Sequence, residues 1–278
     1  MKLLLKKILF KLNVLYRFIR IELSINFNIP FSFIASKPLA NKKKYKFLHN
    51  ECKNLNYPLI TKFEKQNQFS IKKKWFENLA LNLQISVKKS KNNYQHGRIL
   101  YTVLRKYLKT NNNITILETG TARGFSAICM ARAIHDSKKK GKINTIDIIP
   151  HNTKIYWNVI NDHSGKITRK NLLRPWKKYL RYINFLHGRT NKILNKINFS
   201  RVNFAFLDGA HNLKSIKIEF QYVSSRQIKG DIIIFDDVTK NKFDEIYNFV
   251  KLLDKVKDYK ILYIKSSIDR SYAIATKL

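Results

Sequence analysis

The chain is 278 residues long and carries 55 Lys and Arg against 18 Asp and Glu, a formal charge of +37. With 44% hydrophobic and 13% aromatic residues it holds enough apolar matter to offset backbone ordering, which excludes wholesale disorder and leaves room for one main domain plus an extension. The charge would draw in phosphate backbones, anionic headgroups or acidic polysaccharide, but Lys, Asn and Ile also share A/T-rich codons, so no anionic partner follows from charge alone.

Residues 1–23 place Lys2, Lys6, Lys7, Lys11, Arg17 and Arg20 on one side of a helical projection and Leu5, Ile8, Leu9, Leu12, Leu15 and Ile19 on the other. This pattern predicts a basic amphipathic helix, too interrupted by charge to cross a membrane and followed by no small-residue cleavage site. Such a helix suits packing on its own domain, on a second copy in a homodimer, or on an anionic membrane surface. From Ser24 to Asn93 the periodicity is weak and Pro30, Pro38 and Pro58 act as breakers, so irregular structure and short helices are expected, and residues 1–94 read as a basic extension. Cys52 and Cys129 have no metal-ligand spacing and read as reduced thiols, which suits the cytoplasm, either free or peripheral at the inner face of the membrane.

From Gln95 onward the pattern sharpens, and residues 95–278 read as a single domain. Ile99, Leu100, Val103, Leu104, Tyr107 and Leu108 recur at helical spacing up to the turn Asn111-Asn112-Asn113. Strand-like runs follow at 114–118, 143–148, 183–186, 202–207, 231–235, 260–264 and 272–276, with helices at 126–134 and 213–223. This alternation predicts an α/β, Rossmann-like fold: a seven-stranded, mostly parallel sheet closed by an antiparallel strand, with helices on both faces. Ligands of such sheets bind at the carboxyl ends of the strands. The long connection Ile149–Tyr182 carries Tyr156, Trp157, Arg169 and Trp176 and reads as a substrate-binding segment or lid, although both tryptophans fit a plain core equally well.

The first strand runs into Glu118-Thr-Gly-Thr-Ala-Arg-Gly-Phe-Ser126. Gly120, Thr121 and Gly124 make a tight turn into a helix start at Ser126, whose free N–H groups suit a carboxylate. The spacing differs from the dinucleotide fingerprint, and Glu118 would repel a pyrophosphate; an acid there suits the cationic ammonium and sulfonium of S-adenosylmethionine. Asp147 ends the second strand where a ribose-binding carboxylate would project, while Gly188 and Arg189 follow the third strand, where adenine would lie. Apolar runs then end abruptly in Asp208, with His211 three residues on, and in Asp236-Asp237. Three acids on neighbouring strand tips repel one another unless protons, basic residues or a hard cation such as Mg²⁺ neutralise them.

Over residues 95–278 these elements resemble the class I S-adenosylmethionine-dependent methyltransferases, and more narrowly the cation-dependent O-methyltransferases that include the macrocin- and mycinamicin-type sugar methyltransferases. The resemblance implies a metal at Asp208, Asp236 and Asp237, with Asp208 and His211 serving catalysis and the glycine turn, Asp147 and the Gly188-Arg189 pair holding the cofactor. One departure is visible: the fifth-strand pair is Asp-Asp, where relatives often have Glu-Asp or Asp-Asn. The implied reaction is O-methylation of a small-molecule or glycan hydroxyl, with the metal and His211 activating the acceptor. Two other readings compete: an RNA methyltransferase exploiting the basic charge, and a non-catalytic membrane-surface protein on a methyltransferase fold. No RNA-binding module is recognisable in support of the former.

Overall fold

The computed structural model describes residues 37–210, 212–267 and 270–278. The amphipathic stretch over 1–23 and His211 lie outside the described residues. Three helices come first: α1 (Lys42–Lys53), α2 (Pro58–Asn67) and α3 (Lys73–Leu83). Periodicity was hard to see there because each helix buries only a narrow stripe, such as Phe76, Leu79, Ala80 and Leu83 in α3. Those stripes join the same apolar cluster as helix α4 (His96–Tyr107) and the sheet.

The sheet is built from β1 (Asn113–Thr119), β2 (Lys140–Asp147), β3 (Ile183–His187), β4 (Phe204–Leu207), β5 (Ile232–Phe235), β6 (Tyr259–Ser267) and β7 (Arg270–Lys277). Its order is β3-β2-β1-β4-β5-β7-β6. The first five strands pair in parallel, and β7 inserts antiparallel between β5 and β6. The switch point of this order lies between β1 and β4, where a parallel sheet opens a crevice above its carboxyl ends. Helix α5 (Phe125–Asp136) follows β1. The short helices α6 (Arg169–Leu172) and α7 (Lys177–Leu180) lie between β2 and β3, and α8 (Thr190–Leu194) follows β3. Then come α9 (Leu213–Ser224) after β4 and α10 (Asp244–Val256) after β5. The sequence reading had not singled out α10, although Ile246, Phe249, Val250 and Leu253 carry its helical spacing and are buried.

Strand side chains alternate between the two faces. Ile116, Phe204, Phe206, Ile234 and Ile274 point toward α4, α5 and the leading helices, whereas Leu117, Ala205, Leu207, Ile233 and Phe235 join Ile216, Val223, Phe249 and Val250 of α9 and α10. Helices α4 and α5 approach closely because Gly97 carries no side chain; a Cβ there would lie 2.7 Å from Phe76, 2.8 Å from the Cys129 sulfur and 2.9 Å from Phe125. Among the described residues no helix is long and apolar enough to cross a membrane.

The connection between β2 and β3 is core rather than a loose lid. Ile155, Trp157, Val159, Leu172, Leu173, Trp176 and Tyr179 are all buried with the leading helices and α5. Trp157 is fully enclosed, and its indole N–H donates to the Ile167 carbonyl at 2.9 Å. Truncating it to alanine removes this packing and is expected to cost about 3–5 kcal/mol of stability, read as a lower urea midpoint at constant m-value. A loss under about 1 kcal/mol would mean that the segment packs loosely.

Candidate active site

The alternation that sends Ile116, Phe206 and Ile234 to the α4 face continues two residues further in each strand, to Glu118, Asp208 and Asp236. The ladder sets Asp208 and Asp236 side by side and Glu118 one pleat deeper: Glu118 stands opposite Phe206, and the amides of Asp208 and Asp236 donate to the Thr119 and Leu207 carbonyls, both at 3.2 Å. The acids thus gather at the carboxyl ends of adjacent strands.

Glu118 is fully buried. One of its oxygens accepts from the Thr145 hydroxyl at 2.5 Å, while Oε1 has no hydrogen-bond partner among the described residues. Burial pushes its carboxyl up to about 7, against the pull of hydrogen bonds from Ser126 and Thr145; Asp147 adds to the rise and Arg169 opposes it. An orphaned buried acceptor beside a glycine turn fits a ligand that brings a cationic N–H group. Gly120 is required by the turn: its φ is +87° and a Cβ would meet the Asp208 carbonyl at 2.0 Å. The Thr121 hydroxyl lies 2.6 Å from that of Thr145, and Gly124, also at positive φ, caps α5.

Asp147 clasps this turn. Its Oδ2 accepts from the Ala122 amide at 2.5 Å and lies 3.3 Å from the Arg169 guanidinium, while Oδ1 accepts from the Ile149 amide at 2.7 Å. Arg169 in turn donates to the Ala122 and Ile149 carbonyls at 2.9 and 3.1 Å. The expected ribose-binding residue is therefore already the organiser of the glycine turn, and sugar hydroxyls would share its carboxylate with backbone. Gly188 donates its amide to the Asp147 carbonyl at 2.8 Å, and Arg189 is exposed at the start of α8.

Asp208, Asp236 and Asp237 each offer a carboxylate oxygen within 4.8 Å of the others. Burial, reinforced by Asp236 and Asp237, pushes the Asp208 carboxyl well above the usual carboxylate range. Arg270 answers part of this charge: one of its nitrogens lies 3.0 Å from Asp236 and 2.9 Å from Asp237.

Sequence reasoning missed four groups around these acids. His96 stacks on Phe206 with rings 6.0 Å apart, and burial pulls it down to about 4, so it backs the site as a neutral ring. Burial, reinforced by Arg270 and Arg123, pulls the Lys88 ammonium down to about 7. Arg123 is buried inside the turn and donates to the Trp157 carbonyl at 2.6 Å. Arg270 is the fourth. Three of the four are basic residues in a chain crowded with them, and no local pattern distinguished them. An open cleft of about 520 Å³ lies on the β2–β3 connection, lined by Asn161, Ile167, Asn171, Arg174 and Lys177 among others. None of the strand-tip residues lines it.

Residues 117–238 match the family described as a methyltransferase domain. The match runs from β1 to just beyond Asp237, so the glycine turn and all three aspartates fall inside it. The O-methyltransferase TomG from Streptomyces achromogenes, involved in tomaymycin synthesis and solved with SAM, superposes with a TM-score of 0.52 at 16% identity. That alignment covers 78% of this chain and 95% of TomG. A cofactor-bound protein from MTB gives 0.53 at 16% identity, covering 81% of this chain and 98% of its own. At these identities the likeness establishes the fold alone, a Rossmann-like sheet flanked by helices. No curated protein matches the chain in sequence.

The protonation of Glu118 makes a pH-dependent affinity for a cationic ligand the expected outcome. Its folded pKa of about 7 exceeds the ordinary carboxylate value of 4.5, so the neutral form stabilises the free protein and that contribution is lost as pH rises from 4.5 through about 7. A cationic ligand needs the ionised form. S-adenosylmethionine affinity should therefore rise up to about tenfold per pH unit below 7 and level off above it, with proton release seen by calorimetry in buffers of different ionisation enthalpy. Glu118→Gln should flatten the profile, and a wild-type affinity independent of pH would exclude this role.

Proposed function

We propose that this methyltransferase transfers the methyl group of S-adenosylmethionine to a hydroxyl oxygen of a sugar or other small molecule, with His211 as base and a divalent cation such as Mg²⁺ assisting. The observation that carries the reading is the gathering of Asp208, Asp236 and Asp237 within 4.8 Å, at the ends of β4, which adjoins β1 and its glycine turn, and of β5 beside it. Three carboxylates at that spacing fit a hard cation that prefers oxygen ligands, and the burial and mutual repulsion that raise Asp208 are what such a cation offsets. When bound, it would lower the pKa of an acceptor hydroxyl and fix its direction.

The chain's own residues do the rest. Glu118 offers its unpartnered oxygen to the ammonium of the cofactor's amino acid part. The Asp147–Arg169 clasp keeps the turn shaped for the cofactor, and the neutral His96–Phe206 stack closes the floor without adding charge. As the acceptor oxygen forms its bond to the methyl carbon, the carbon–sulfur bond breaks and S-adenosylhomocysteine departs; the acceptor proton passes to the imidazole of His211. Holding two bound reactants in line supplies much of the rate gain.

His211→Ala is expected to lower kcat by at least about 100-fold while leaving S-adenosylmethionine affinity unchanged. A variant of full activity would remove His211 from the mechanism. A chelator should abolish turnover and excess Mg²⁺ restore it, and Asp208→Asn should prevent that restoration. Turnover that persists in EDTA would remove the cation from the reaction.

A further inference from the structure

We propose that Arg270 is the resident counter-cation of the aspartate triad and competes with a divalent metal for Asp236 and Asp237, so that metal affinity is set by how readily the arginine yields its place. The inference rests on reading the triad as a cation site and adds the residue that governs its occupancy. A single guanidinium nitrogen is shared between Asp236 Oδ2, at 3.0 Å, and Asp237 Oδ1, at 2.9 Å. The other oxygen of Asp236 accepts from the Asp237 amide at 2.7 Å, so both oxygens of that carboxylate are engaged before any metal arrives. Asp237 itself has a φ of +55°, and this turn is what brings two consecutive acids to the same guanidinium.

The backbone holds the arginine at this post. The Val238 amide donates to the Ser271 carbonyl and the Ser271 amide to the Thr239 hydroxyl, both at 3.0 Å. Arg270 begins a strand that is stitched directly to the turn bearing Asp237. Its carbonyl also accepts from the Ser266 hydroxyl at 3.2 Å, which in turn accepts from the Asn93 side chain at 3.1 Å. The backbone is thus fixed, and only the side chain is left to move. A metal seated on the same two carboxylates would stand close to the guanidinium charge while the arginine keeps its place, with Lys88 adding to the repulsion. Departure of the guanidinium relieves that repulsion, whereas in its presence the triad is already partly neutralised and has less to gain from a metal.

The test is a calorimetric titration of the full chain with Mn²⁺, alongside Arg270→Gln and Arg270→Lys, with S-adenosylmethionine affinity measured on each protein. Arg270→Gln should bind Mn²⁺ at least about tenfold more tightly than wild type, and Arg270→Lys, whose ammonium cannot lie flat between two carboxylates, by a smaller factor. Equal or weaker Mn²⁺ binding by Arg270→Gln overturns the proposal. If the glutamine variant fails to fold, Arg270→Lys decides, and an affinity equal to wild type overturns the proposal in the same way. Failure of wild type to bind S-adenosylmethionine would instead sink the methyltransferase reading, and the Mn²⁺ comparison would still stand.

Discussion

Carboxylates that leave water together must find protons or positive charge, and this constraint organises the carboxyl end of the sheet. Five acids meet there, and each solves the problem differently. Glu118 stays largely protonated below about pH 7 because nothing near it supplies enough compensation. Asp147 is held by two amides and Arg169, and it turns that compensation into the shape of the glycine loop. Asp236 and Asp237 share Arg270, and Asp208 is raised by burial, with Asp236 and Asp237 adding to the rise. The same crowding that threatens the fold is what underlies the proposed affinity for cations, whether sulfonium, ammonium or metal.

The sheet was legible because its strands are fully buried, so they read as apolar runs with abrupt ends, and the acids at those ends marked the ligand side. Asp208, Asp236 and Asp237 could be placed on neighbouring strand tips from the apolar runs that end in them. The leading helices were less legible, since α1 to α3 are polar over most of their surface and their narrow stripes only make sense against one another. The aromatics of the β2–β3 connection left two readings open, and burial decides for the core at Trp157 and Trp176: a tryptophan in a long connection looks the same in sequence whether it stacks on a sugar or fills a core. Arg270 and Lys88 were invisible for a statistical reason. Among 55 basic residues, those that matter are distinguished only by what the fold sets beside them.

That observation bears on the large positive charge as a whole. Most of it lies on solvated surface, but Arg123, Arg169 and Arg270 are drawn inward and each has a defined structural task, two of them within the glycine turn and its clasp. Arginine suits such tasks because its planar fork can address a carboxylate and several carbonyls at once, as Arg169 does. The site of a strongly basic protein is in this sense acidic, with its internal cations acting as linkers.

The position of β7 bears on how the sheet is completed. It follows β6 in the chain yet lies inside the sheet, between β5 and β6, and it brings Arg270. Until β7 has inserted, the edge of β5 stays unpaired and Asp236 and Asp237 lack the guanidinium that they share. A folding intermediate with β7 undocked would therefore present an open, apolar strand edge to chaperones or to other chains.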